Sequence, residues 1–260
     1  EEFCYNGERS WVVGGVIPKK GYEAAYFTRG RNLVLSDTSD MCSPDWGDVY
    51  LAANESWLVS EAGLNLYLAE GKREYIRKDC ERLFLLAVNT EKQGSFMTAF
   101  DDKLSIFYFG EWLKGYFFRS GKTILDALDF SLNEHDRIVS DCEAFDVQLK
   151  ADCEKVGKDY YTIACASLRQ SVAAHKLVET KDGKLLFLSK ENNSNGCIGT
   201  ADVSYPSIPL YLLYDPELVQ GMLRGIYDFA RMPVWNFNFA PHDIGTYPWC
   251  SGQVYGTACR

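Results

Sequence analysis

The sequence predicts an α+β protein, with an N-terminal antiparallel β-sandwich portion followed by helical hairpins. Three observations carry that expectation. In the first half, short β-rich runs alternate with Gly, Pro, Asn and Asp. In the second half, apolar residues recur at three- and four-residue spacing. The chain is 47% hydrophobic and 14% aromatic over 260 residues, enough to bury a real core in one large or two ordinary domains.

The elements follow in order. The runs "SWVVGGVIP" (10–18), "AAYFTRG" (24–30), "NLVLSDT" (32–38) and "DVYLAAN" (48–54) read as strands. "SWLVSEAGLNLYLAEG" (56–71) continues that β-rich theme, and "KREYIRKDCERLFLLAV" (72–88) reads as helix or strand. "SFMTAFDDKLSIFYFGEWLKGYFF" (95–118) reads as paired strands. From Thr123 to Val156 the spacing of Ile138, Cys142, Phe145, Leu149 and Cys153 predicts one face of a long helix. After Gly157 a second helix carries Tyr161, Ala164, Cys165, Leu168, Val172 and His175 on its apolar face. The short link predicts an antiparallel hairpin. Asp182-Gly183 marks a turn before the strand "KLLFLS". Asp215-Pro216 offers an N-cap and an N1 proline to a helix burying Leu218, Met222, Ile226 and Phe229, which ends at Arg231-Met232-Pro233. The boundary between the halves is expected near 120–132, giving domains 1–125 and 126–260.

Charge and motifs narrow the function classes. The net charge is −9 and no Lys/Arg-rich run occurs, so a nucleic-acid partner or an anionic membrane patch is not expected. No apolar run reaches the roughly 20 residues of a membrane helix. The chain opens Glu1-Glu2 without an initiator Met, which fits a processed protein or a cut fragment equally well. Nine cysteines without a Cys-x-x-Cys pair argue against a zinc site and against a full disulfide framework. Cys142, Cys153 and Cys165 fall in helical patterns, where free thiols pack as small apolar groups. No phosphate loop, dinucleotide fingerprint or serine elbow is present. No spacing calls for a metal or another cofactor.

Two stretches concentrate chemistry. Residues 190–209, "KENNSNGCIGTADVSYPSIP", place Glu191, Asn192, Asn193, Ser194, Asn195, Thr200 and Asp202 between a strand and a proline-rich turn. Asn-rich loops often bond their own backbone, and Asn195-Gly196 suits a positive-φ turn. Two carboxylates beside a cavity, Glu191 and Asp202, can instead divide into acid and base. The second stretch, "FAPHDIGTYP" (239–248), holds His242 and Asp243 between Pro241 and Pro248, with Gly245 and Tyr247 as pocket wall. Imidazole suits proton transfer near neutral pH; the structural alternative is a capping Asp beside a packed His. His175 is read as a core or rim residue, His135 in "NEHDR" as solvated, and Cys197 as a buried inert thiol.

The stretches "YYTIACASLRQSVAAHKLVE" (160–179), "LLFLSKENNSNGCIGTADVSYPSIPLYLLYDPELVQGML" (185–223) and "FAPHDIGTYPWCSGQVYG" (239–256) resemble the glutaminase A family, known from secreted fungal glutaminases and bacterial relatives. "FDDKLSIFYFGEWLKGYFFRSGKT" (100–123) and "CEAFDVQLKADCEKVG" (142–157) fit the same family. The resemblance implies an N-terminal β-sandwich followed by the first helical hairpins of an (α/α)6 toroid. It implies hydrolysis of glutamine to glutamate and ammonia outside the cytoplasm, in an extracellular or periplasmic setting. The family continues beyond the last of these motifs, so the chain looks like a fragment, expected to be inactive alone and to leave apolar helix faces uncovered.

From residue chemistry, the expected reaction is amide hydrolysis by activated water. Glu191 or Asp202 serves as base, and His242 or Asp243 protonates the leaving ammonia. Asn192, Asn193, Asn195 and Tyr247 would bind substrate. The rival enzyme is a glycoside hydrolase on the same toroid, with Trp235, Trp249, Tyr247 and Tyr255 stacking on sugar. A carbohydrate- or peptide-binding module is the non-enzymatic reading. The partner is then a small molecule, glutamine or a glycoside; the oligomeric state is left open.

Overall fold

Alternating apolar and polar residues build the first part of the chain as antiparallel strands. The structure, a computed structural model, describes residues 13–28, 46–73, 83–92, 94–191 and 195–255. Strands β1 (Val13–Lys19) and β2 (Tyr22–Thr28) form a hairpin whose turn places Gly21 at φ +93°, a conformation glycine adopts without strain. β3 (Asp48–Ala53) adds to β2, and β4 (Glu55–Ser60) follows at once. Helix α1 (Glu61–Glu70) then begins, with the Ser60 hydroxyl accepting from the Gly63 N–H, and ends at left-handed Gly71. This corrects the β-rich reading of 56–71: Ser60 ahead of Glu61 is a cap, and the chain beyond it is helical. β5 (Leu83–Val88) pairs antiparallel with β4, and β6 (Met97–Asp101) with β3. The larger sheet runs β1-β2-β3-β6, and the β4–β5 ribbon packs on it around Ala25, Phe27 and Leu58. The predicted strand at 32–38 lies outside the described residues.

The remainder mixes helices with small sheets. β7 (Ile106–Tyr108) and β8 (Glu111–Leu113) form a hairpin, followed by a 3-10 helix at Tyr116–Gly121. The predicted long helix is two: α2 (Ile124–Asn133), opened by a capping box between Thr123 and Asp126, and α3 (His135–Glu154). They part at Glu134, whose φ/ψ of −103°/7° is not helical, inside the polar run Asn133 to Arg137. α4 (Tyr160–Ala173) packs on α3 after a short link. Cys142 is exposed rather than packed, Cys153 is buried, Cys165 is intermediate, and all three are free thiols.

His175 does not close α4. It opens strand β9 (His175–Glu179), antiparallel to β10 (Leu185–Ser189) through a turn with Gly183 at φ +80°. The proline-rich turn is helical: α5 (Ala201–Ser204), a 3-10 turn at Tyr205–Ser207 and α6 (Ile208–Tyr214), with a proline at the start of each of the last two. α7 (Pro216–Ala230) starts as expected, with Asp215 accepting from the Glu217 N–H, and buries Val219, Gly221, Met222, Gly225, Ile226 and Phe229. Gly225 lets Ile244 pack closely, since a Cβ there would lie 2.7 Å from Ile244 Cδ1 and would push that side-chain end aside. Finally β11 (Trp249–Cys250) pairs parallel with β7.

The described residues divide into two compact units, one ending at Lys103 and one beginning at Leu104. This division lies upstream of the expected 120–132, because the β7–β8 hairpin pairs with β11 near the other end of the chain. The core of the second unit gathers Ile106, Leu186, Leu188, Ile198, Ile226 and Ile244. Among the described residues no helix is long and apolar enough to cross a membrane.

Candidate functional site

The two chemistry-rich stretches come together. Their backbones are laced: the Ile198 N–H donates to the Gly245 carbonyl (2.8 Å), Ile244 to Ile198 (3.1 Å), Tyr247 to Gly196 (2.8 Å) and Ala201 to His242 (2.7 Å). The Gly199 N–H donates to the Ser189 carbonyl at 2.8 Å, tying the same stretch to the end of β10. Gly245 makes the closest approach, with φ +145° and no room for a Cβ, which would meet the Trp249 carbonyl oxygen at 1.9 Å. The Ser189 and Ser204 hydroxyls, both buried and 3.0 Å apart, seat α5 against β10.

On this frame His242 is the central group. Its Nδ1 donates to Asp243 Oδ2 at 3.1 Å, and its Nε2 lies 3.6 Å from Asp202 Oδ1. An Nδ1–H held by a carboxylate leaves Nε2 as the atom free to exchange protons. Asp243 is fully buried, whereas the Asp202 side chain is 75% exposed. Asp243 also accepts from the backbone N–H groups of Gly245 (3.0 Å), Val254 (2.9 Å) and Tyr255 (3.1 Å). With its oxygens so occupied, Asp243 has the geometry of an orienting group. Glu191 is half-buried; its Oε2 stands 3.5 Å from the hydroxyl of buried Thr200, and its N–H donates to the Cys197 carbonyl.

The expected substrate-binding groups fare differently. Asn192 and Asn193 lie outside the described residues. Asn195 is exposed and its side-chain oxygen accepts from the Cys197 N–H at 2.9 Å, the self-bonding loop that its composition allowed. Tyr247 is half-buried, with Lys190 Nζ 4.7 Å from its ring centroid. Thr200, named in the polar stretch, is buried beside Glu191, and the segment Gly252–Tyr255 is an addition that sequence reading did not place at an amidase site. Gln253 Oε1 accepts from the His242 N–H at 2.7 Å, and the Tyr255 ring stacks on the imidazole at 4.6 Å and 27°. A Gly following Ser251 announced a turn there, but not its destination.

The side chain of His175 bonds apart from this cluster. His175 stacks on Phe187 at 4.4 Å, its Nδ1 donates to the Ser171 carbonyl at 2.6 Å, and burial holds its imidazole below the usual range. It is the packed histidine expected, at a strand start instead of a helix end. Cys197 is buried. Burial pushes the Cys250 thiol well above the usual range. Among the described residues no group of three or more His, Cys, Asp or Glu is placed to hold a metal.

A mixed α+β chain with a carboxylate–imidazole cluster on its helix-rich part is the class these observations define. Comparison with known proteins gives a likeness over the same part of the chain. Residues 157–259 match the model of the glutaminase A six helical-hairpin domain. Over this part the chain is similar to the glutaminase A family. It is 33% identical over 145 residues to glutaminase A of Aspergillus oryzae, covering 55% of this chain and 20% of that protein. It is 30% identical over 132 residues to a probable glutaminase of Arthroderma benhamiae, covering 50% of this chain and 15% of that protein. The chain thus spans a fifth or less of the length of these relatives.

Proposed function

We infer that this chain contributes part of the site of a glutaminase-type amidohydrolase, acting on the side-chain amide of glutamine. The observation that carries the reading is His242 Nε2 facing Asp202 at 3.6 Å, within the segment matched to the glutaminase A domain. Water attacks the carboxamide carbon as Glu191 or Asp202 takes its proton. The C–N bond of the tetrahedral intermediate then breaks, and His242 supplies the proton that lets ammonia leave. Asp243 orients the imidazole and is reassigned from proton donor to positioning group. The same reading takes the β-rich first part as a portion of an antiparallel β-sandwich. It takes α3 and α4 as one hairpin of an (α/α)6 toroid, in a protein working outside the cytoplasm.

The glycosidase rival loses support at its aromatic residues. Trp235 is 6% exposed in the core, and Trp249 packs between Phe107 and Trp112 at 5.0 and 4.9 Å. Neither offers a free ring face to sugar. The test is to offer the full-length protein glutamine and a panel of glycosides. Ammonia release with no glycoside cleavage is expected; cleavage of a glycoside with glutamine untouched overturns the reading.

A further inference from the structure

Three restraints converge on the His242 side chain and its backbone, and all lead to the segment Gly252–Tyr255. Asp243 Oδ2 accepts from both His242 Nδ1 and the Tyr255 N–H, so one oxygen holds the imidazole and the chain that covers it. Gln253 bridges the same two residues: its Oε1 accepts from the His242 N–H, and its Nε2 donates to the Tyr255 carbonyl at 2.8 Å. The Gly252 N–H donates to the Ile244 carbonyl at 3.0 Å, closing the loop onto the far side of the His-Asp pair. The Tyr255 ring lies nearly parallel to the imidazole and covers one face of it, while the Tyr255 residue itself is 57% exposed. A side chain so exposed contributes little to the core; among the described residues its ring contact is to His242.

We propose that Tyr255 is a positioning residue for His242, a ring clamp that Asp243 and Gln253 lock in place. The clamp fixes the imidazole plane so that only Nε2 and the open ring face reach solvent and substrate. Imidazole rotation about its Cβ–Cγ bond is a broad torsion, and a covering ring narrows it. This inference rests on the proposed role of His242 as the proton donor to ammonia.

The test uses the full-length protein with Tyr255→Ala and the conservative Tyr255→Phe. Diethyl pyrocarbonate acylates accessible imidazole nitrogen, and mass spectrometry reads each histidine separately. His135, 52% exposed on the surface, serves as the internal reference. Tyr255→Ala is expected to raise His242 acylation relative to His135 by about threefold or more, with Tyr255→Phe at the wild-type ratio. In ammonia release, Tyr255→Ala is expected to lower kcat by up to about tenfold, the scale of one aromatic stack, with KM within twofold and with Tyr255→Phe restoring the rate. An unchanged His242 acylation ratio in Tyr255→Ala overturns the clamp. Wild-type protein that releases no ammonia overturns the proposed reaction instead, and the acylation ratios still decide the clamp.

Discussion

Helices α4 and α7 are nearly the same length, 14 and 15 residues, yet they bury themselves very differently. α7 buries six residues, two of them glycines that bring β10 and Ile244 against its backbone. α4 buries none, and Ile163 on it is 61% exposed. α7 supports the laced frame that carries Glu191, Asp202 and His242, whereas α4 packs on α3 and leaves Ile163 and Val172 exposed. Burial is therefore denser under the frame of the candidate proton-transfer groups than along α4.

Substitutions in the full-length protein test this contrast between the two helices. Met222, 1% exposed on α7, fills the space between Phe187, Tyr211 and Val219. Met222→Ala is expected to cost about 3 kcal/mol in denaturant unfolding. A loss under about 1 kcal/mol would mean that α7 is not the anchor described.

An intermediate effect is expected at His175, where β9, β10 and α6 meet. Burial holds its folded-state pKa below the ordinary value, with the Ser171 carbonyl only partly offsetting. The unfolded chain titrates near the usual histidine value, about 6.5. Between the two, the unfolded state binds the proton and the folded state does not, so stability is present above about pH 6.5 and falls as the pH drops through it. His175→Phe should show a shallower loss between pH 7 and 5 than wild type. An equal slope would place the acid sensitivity elsewhere.

The smallest effect is expected on α4. Ile163→Ser should change stability by less than about 0.5 kcal/mol, as for other exposed positions. A loss above about 1 kcal/mol would show that this face is covered in the full-length protein, and would erase the contrast between the helices.

Local signals carried the reading of α7 and β10: Asp215-Pro216 is a cap with its own chemistry, and "KLLFLS" is apolar enough to bury Leu186 to Ser189. Elements that depend on partners were harder. The run from His175 to Glu179 continues the apolar spacing of α4, and over five residues helical and extended periods coincide. α1 hid behind a β-rich neighbour because its cap is a single Ser60. The parallel pairing of β11 with β7 joins residues about 140 apart, a contact with no local signature. At the site, His242, Asp243, Glu191 and Asp202 were visible as residue types. The bonding of Asp243 was not, because most of its partners are backbone N–H groups, which every residue but proline carries.

The most direct measurement is ammonia release from glutamine by the full-length protein, comparing wild type with Glu191→Gln and Asp202→Asn. If one of these carboxylates is the general base, its variant should lose at least about 100-fold in kcat, the lower end for acid–base catalysis. Wild-type turnover in both variants would contradict the assignment of the base and leave the laced cluster as a structural feature only.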